Sequence, residues 1–253
     1  MPCRAVFLLL VSGFSVFFWS HAQAEQGKVI FAFPEIGYPP YLIHGDINQN
    51  GIVYDIFETV ANSIGYEVIK LKYPEKRIEL MLARGQIDAH PSAQAWVEAP
   101  GQFAWTDPII IVQDNLVYRK DNPPPGTTVA ALIGMSLAAM RNFRYPSLES
   151  PFANGKIRRY DTRSFESILK LVAKKRAAAG ILDQYVGNWT LQNKEIDIKI
   201  DDLAFSETGF DPVGFRVRFT PSKDWAPFLE KFNTELEKFK KTETYQKILI
   251  RYK

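Results

Sequence analysis

Residues 54–71 read YDIFETVANSIGYEVIKL, and the change of period inside this stretch decides the fold. Ile56, Phe57, Val60 and Ile64 recur at three- and four-residue spacing, which puts them on one face of a helix. Gly65 ends that helix, and residues 66–71 alternate like a strand. Upstream, residues 28–33 form a β-type run that stops at Pro34. Downstream, residues 77–83 read as a short helix leading to Gly85, and residues 87–90 as a brief strand. The order β-α-β-α-β is the signature of a mostly parallel sheet covered by helices.

A second unit of the same kind follows. Residues 115–119 read as a strand, and the run Asp121-Asn122-Pro123-Pro124-Pro125-Gly126 continues neither helix nor sheet. Strands are then expected at 136–139, 157–160 and 178–182, with helices at 145–152 and 164–173. Asp183 opens a further helix as its N-cap. Asp211-Pro212 marks another break, residues 213–218 a strand, and residues 225–252 one or two closing amphipathic helices. Two βα units joined at two breaks predict an α/β fold of two lobes connected by two strands. Ligand sites in open α/β sheets lie at the carboxyl ends of strands, so the cleft is expected at the loops after Phe33, His90, Ala139 and Leu182.

The beginning of the chain bears on compartment. After Arg4, residues 5–19 are uncharged and mostly apolar, and Ala22-Gln23-Ala24 has the small residues of a cleavage site. Residues 1–24 are therefore read as a signal peptide, too short in its apolar part to span a bilayer, and the mature chain is expected in the periplasm. The one cysteine, Cys3, falls within that segment, so the expected mature chain has no disulfide and no thiol chemistry. The charge is nearly balanced, with 31 Lys+Arg against 28 Asp+Glu. The basic residues are dispersed apart from the C-terminal region, which is not a nucleic-acid footprint.

Few motifs carry chemistry. Gly37-Tyr38-Pro39-Pro40-Tyr41 follows the first strand, and its prolines stiffen a loop that holds aromatic rings at a strand's carboxyl end. Residues 46–51, DINQNG, match the first half of a calcium loop. The twelfth position, however, is Phe57 where a bidentate glutamate is needed, so a polar turn is expected. His44 and His90 have no partner at ligand spacing, and no metal or cofactor is implied. No nucleophile elbow, phosphate loop or dinucleotide fingerprint appears, which favours binding over catalysis.

Five stretches together resemble the family 3 extracellular solute-binding proteins, which include periplasmic components of polar amino-acid ABC transporters. They are Tyr38-Pro39-Pro40-Tyr41, Gly51-Ile52-Val53-Tyr54-Asp55, residues 82–89 (LARGQIDA), residues 103–108 (FAWTDP) and Ala179-Gly180-Ile181-Leu182-Asp183. Each is weak alone, and their order and spacing are specific. The resemblance implies a type II periplasmic-binding-protein architecture, with one lobe of residues 27–117 plus 213–253 and another of 118–212. It also implies that Tyr41 stacks on the ligand and that Asp183 holds its ammonium. Ser92 stands where the family has a serine or threonine, and Trp96 offers an aromatic wall.

One departure is informative. The family's arginine for the ligand's α-carboxylate is absent between Ser92 and Pro100, and no other residue there offers a guanidinium fork. Either another cation does the work, with Arg141 and Arg144 after the second-lobe strand as the candidates, or the ligand lacks a free α-carboxylate. The implied function is periplasmic binding of a small polar, amine-bearing solute, an amino acid or derivative, by a monomer that delivers it to an ABC permease. A sensor docked on a membrane receptor needs the same cleft. A dehydratase-like enzyme on this fold would need a cleft acid such as Glu98 or Glu207.

Overall fold

The computed structural model describes residues 27–35, 37–43, 50–141, 143–193 and 197–252. The expected signal peptide, His44 and residues 46–49 of the polar turn lie outside these.

Helix α1 (Ile52–Ser63) buries Ile52, Val53, Ile56, Phe57 and Val60, the stripe its sequence period defines. It packs between strands β1 (Gly27–Pro34) and β2 (Tyr66–Tyr73) and the closing helices α6 (Ala226–Phe239) and α7 (Glu243–Arg251). Phe57 is the centre of that contact, with ring centroids 5.0 Å from both Phe31 and Phe232. Helix α2 (Glu75–Ala83) covers the same lobe through Ile78 and Leu82 and leads into β3 (Ala89–Ser92).

Strand β1 pairs in parallel with β2 along its whole length and with β3 at Phe31↔Ala89. Strand β10 (Phe210–Phe219) lies antiparallel to β3 and also to the two-residue β4 (Ala104–Trp105). The second lobe is built on β6 (Ser136–Met140), β7 (Arg158–Thr162) and β8 (Ala179–Leu182), with β6 parallel to both neighbours. Helices α3 (Glu149–Ala153), α4 (Phe165–Ala173) and α5 (Gln184–Asn193) belong to this part. Two long strands cross between the lobes: β5 (Ile110–Arg119) and β10 pair with each other, and β5 continues against β8 and β9 (Leu203–Phe205). The strand order is β2-β1-β3-β10-β5-β8-β6-β7.

Three elements differ from the sequence reading. Strand β10 runs through Asp211-Pro212, where a break was expected. Its register shifts between Phe210 and Val213, so Pro212, with no N–H to donate, sits in an irregularity outside the ladder. Strand β5 begins at Ile110, five residues before its predicted start at Asn115. The helix predicted at 145–152 shrinks to α3, because Pro146 disfavours helical geometry at Tyr145. Tyr145 instead turns its hydroxyl back to accept from the Met140 N–H at 3.0 Å.

Candidate functional site

The Tyr-Pro-Pro-Tyr loop is closed on itself by paired backbone bonds of 2.9 Å between Tyr38 and Leu42. It is also sealed to the start of α1, where the N–H groups of Ile52 and Val53 donate to the carbonyls of Pro40 and Tyr41, each at 3.0 Å. Gly51 makes that approach possible. Its φ is +100°, and a Cβ there would stand 2.4 Å from the Tyr41 carbonyl oxygen. The result is a rigid shelf on which Tyr38 and Tyr41 stack with centroids 5.4 Å apart.

Tyr41 is fully buried, and its hydroxyl donates to Asp183, 2.9 Å from each carboxylate oxygen. Asp183 follows β8, is 5% exposed, and also accepts from the Val186 N–H at 3.1 Å, the bond of an N-cap to α5. The two residues come from opposite lobes. Burial raises the Asp183 carboxyl above its ordinary range, against the pull of the hydrogen bonds from Val186 and Tyr41. The adjoining phenols of Tyr38 and Tyr41 are raised by burial and by the Asp183 charge.

A second carboxylate, missed in the sequence, stands beside this contact. The β5–β8 ladder ends at Asn115↔Leu182, and Asp114 and Asp183 are the residues immediately beyond that pair on the two strands. Burial first, then the charges of Asp183 and Asp211, push the Asp114 carboxyl up to about 7. Among the described residues its side chain has no hydrogen bond and no ion pair. Asp211 differs, since it accepts from the Ser147 N–H and hydroxyl.

Ser92 and Trp96 meet at a cavity of about 580 Å³ in the first lobe, which Tyr38 and Phe215 also line. Trp96 is 53% exposed and sets its ring 5.3 Å from Phe215 and 6.5 Å from Tyr38. The cavity's far wall holds Glu75, Glu79, His90 and Arg218. His90 has its Nδ1 3.0 Å from the Ala32 carbonyl and its Nε2 3.2 Å from Glu75, while the buried Arg218 pairs with Glu79 and lies over the Phe103 ring. One donor atom from each of Glu75, Glu79 and His90 falls within 4.8 Å of the others. Both carboxylates already have protein partners in His90 and Arg218, so the cluster reads as an internally bonded network. Glu75 and Glu79 stand 15 and 11 residues before His90, a spacing that local motif reading does not register.

Arg141 is not at this site. It lies exposed in a separate depression with Arg163, Lys170, Lys174 and Arg176. The loop after β6 is instead stapled by Arg159, which donates to the carbonyls of Met140, Arg141 and Phe143. The structure thus brings Tyr41 and Asp183 together, sets Ser92 and Trp96 on the adjoining cavity, and leaves Arg141 outside. Of the two acids considered for catalysis, Glu98 lines the cavity and Glu207 lies exposed between β9 and β10.

Solved structures share the fold at low sequence identity. The periplasmic domain of BvgS from B. pertussis matches with a TM-score of 0.71 at 18% identity, covering 89% of this chain and 42% of that one. The second substrate-binding domain of a putative amino-acid ABC transporter from Streptococcus pneumoniae matches at 0.69 and 16%, covering 88% and 99%. The ancestral amino-acid-binding protein AncCDT-1, a precursor of cyclohexadienyl dehydratase, matches at 0.62 and 17%, covering 89% and 95%. These likenesses establish the two-lobed type II periplasmic-binding fold. A comparison of the sequence with curated proteins finds no match. The family profile that does match spans residues 32–253, nearly the whole described body, and so the chain belongs to the bacterial extracellular solute-binding proteins, family 3.

Proposed function

We propose that this protein binds a small amine-bearing solute between its lobes in the periplasm and hands it to an ABC permease. The lobes on this reading are residues 27–117 with 213–253, and residues 118–212. The observation that supports it most is the Tyr41–Asp183 contact: a buried carboxylate on one lobe takes its hydrogen bond from a phenol on the other. A phenol O–H and an ammonium N–H present the same donor to a carboxylate, and the ammonium adds a full charge. A solute amine that replaces the phenol joins the same two lobes and stabilises the closed form by its extra affinity for that form. Ser92 and Trp96 line the neighbouring first-lobe cavity, with Tyr38 between it and Tyr41.

A thermal-shift screen of the protein from Glu25 onward, against amino acids, amines, organic acids and sugars, tests the reading. Binding to the folded state raises the melting temperature by mass action. Stabilisation by amines that vanishes in Asp183→Asn supports it, and stabilisation only by anions or sugars refutes it. Delivery is a separate step. Cells lacking the gene should lose uptake of the labelled ligand if the partner is a permease. Intact uptake with an altered transcriptional response assigns the protein to a membrane sensor.

A further inference from the structure

The cleft has an unusual charge balance. Asp114 and Asp183 each lie one residue beyond the last pair of the β5–β8 ladder, Asn115↔Leu182. They are near enough for the Asp183 charge to act on Asp114, and like charges there repel. Among the described residues neither has a Lys, Arg or His in ion-pair contact. Asp183 has its cap and Tyr41 as partners, and Asp114 has none. The walls are phenols and other rings: Tyr41 lies 6.1 Å from Tyr185 and 5.8 Å from Phe215, while Tyr38 and Tyr145 both feel the Asp114 charge. Carboxylates ringed by aromatic faces suit a cation, which the faces attract and the carboxylates neutralise.

The complementary half of an amino-acid site is missing. A carboxylate ligand calls for a guanidinium fork, yet the arginines of the first-lobe floor are engaged. Arg218 holds Glu79 and Arg216 donates to the Thr106 carbonyl at 2.7 Å. In the second lobe Arg159 is spent on loop carbonyls, and Arg141 sits in the separate basic depression. Arg144 is exposed in the loop after β6. Among the described residues the cleft therefore has two carboxylates to neutralise and no unengaged guanidinium on its first-lobe side.

We infer that the solute is an organic cation without a carboxylate, of the diamine or guanidinoalkylamine class, with its charge shared between Asp183 and Asp114 inside the tyrosine walls. This rests on the amine-binding reading above and narrows it.

Calorimetric titration at about pH 8, where the Asp114 carboxyl is ionised, decides the matter. The probes are three pairs that differ by one carboxylate: cadaverine and lysine, putrescine and ornithine, agmatine and arginine. The expected result is that at least one decarboxylated member binds about tenfold or more tightly than its parent. Asp114→Asn should then weaken that amine by about tenfold, with an unchanged melting temperature or a higher one as the control for folding. Equal or tighter binding of the parent amino acids overturns the inference and leaves amine binding standing. Loss of that binding in Arg144→Ala would then identify the carboxylate's partner. If none of the six binds and no other amine stabilises the protein, the broader reading falls as well.

Discussion

The hydroxyl of Tyr41 lies 2.9 Å from both carboxylate oxygens of Asp183, a residue 142 positions later in the chain. One residue belongs to the stiff loop after β1 and the other to the N-cap after β8. The bond therefore measures how closely the two lobes approach. Both ends are buried, and the interaction is charge-assisted.

Asp183→Asn separates the two duties of this side chain. Asparagine is as good an N-cap as aspartate, so α5 should keep its start and the melting temperature should change little. The ligand's ammonium loses its charge partner, and amine affinity should fall by about 2 kcal/mol or more. Calorimetry alongside thermal melting checks this; equal losses in both would make Asp183 a structural cap alone.

Tyr41→Phe keeps the ring stack with Tyr38 and removes the hydroxyl. A buried carboxylate then lacks one donor, and the free protein should lose about 1–3 kcal/mol of stability in denaturant unfolding. Amine binding should survive or strengthen, because the phenol that competes for Asp183 is gone. Abolished binding would mean that the hydroxyl itself contacts the solute.

Asp114 makes stability depend on pH. Its ordinary value of 3.8 applies in the unfolded chain, and in the fold burial raises it to about 7. Between these values the native state holds a proton that the unfolded state has released, so stability falls as pH rises from about 4 to about 7 and levels off above. Asp114→Asn should flatten this slope in melting curves across the window. Amine affinity should run the other way and increase as Asp114 ionises.

Gly180 in β8 lies under α4, where an added Cβ would stand 2.4 Å from Ile168 Cγ2 and 2.8 Å from Val117 Cγ1. Gly180→Ala should cost about 1–3 kcal/mol through overpacking. The same position is part of the Ala-Gly-Ile-Leu-Asp stretch, which links a family-like motif to a packing need. A chemical denaturation curve unchanged from the parent protein would show that α4 can retreat.

The fold was legible where period and punctuation agree. The α1 stripe, the strand after Gly65 and the Asp183 cap all declare themselves within a few residues. Strand β5 was half-read, although Ile110 and Val112 are buried on either side of the exposed Ile111, because these residues follow Pro108 without a preceding turn or helix to mark a strand start. The Pro212 break was misread because a bulge lets a strand carry a proline that a regular ladder rejects. Of the candidate site residues, Tyr41 and Asp183 stand in family-like stretches, while Ser92 and Trp96 were named from the loop that follows the third strand. Asp114 carries no local signal, since only the antiparallel register with β8 brings it near Asp183. Glu79 and Arg218, 139 residues apart, likewise meet only through the strand order.

The crossing of β10 into the first lobe also sets an order of assembly. The strands β6, β7 and β8 and their helices are contiguous in sequence and can pair among themselves as soon as they are available. The sheet of β1, β2 and β3 obtains its antiparallel neighbour only from residues 216–219, and the aromatic cluster around Phe57 is completed only when Phe228 and Phe232 arrive. The later lobe in sequence can thus be the earlier one to fold, and it leaves β3 with an open edge in the meantime. That edge is the surface a chaperone would have to cover.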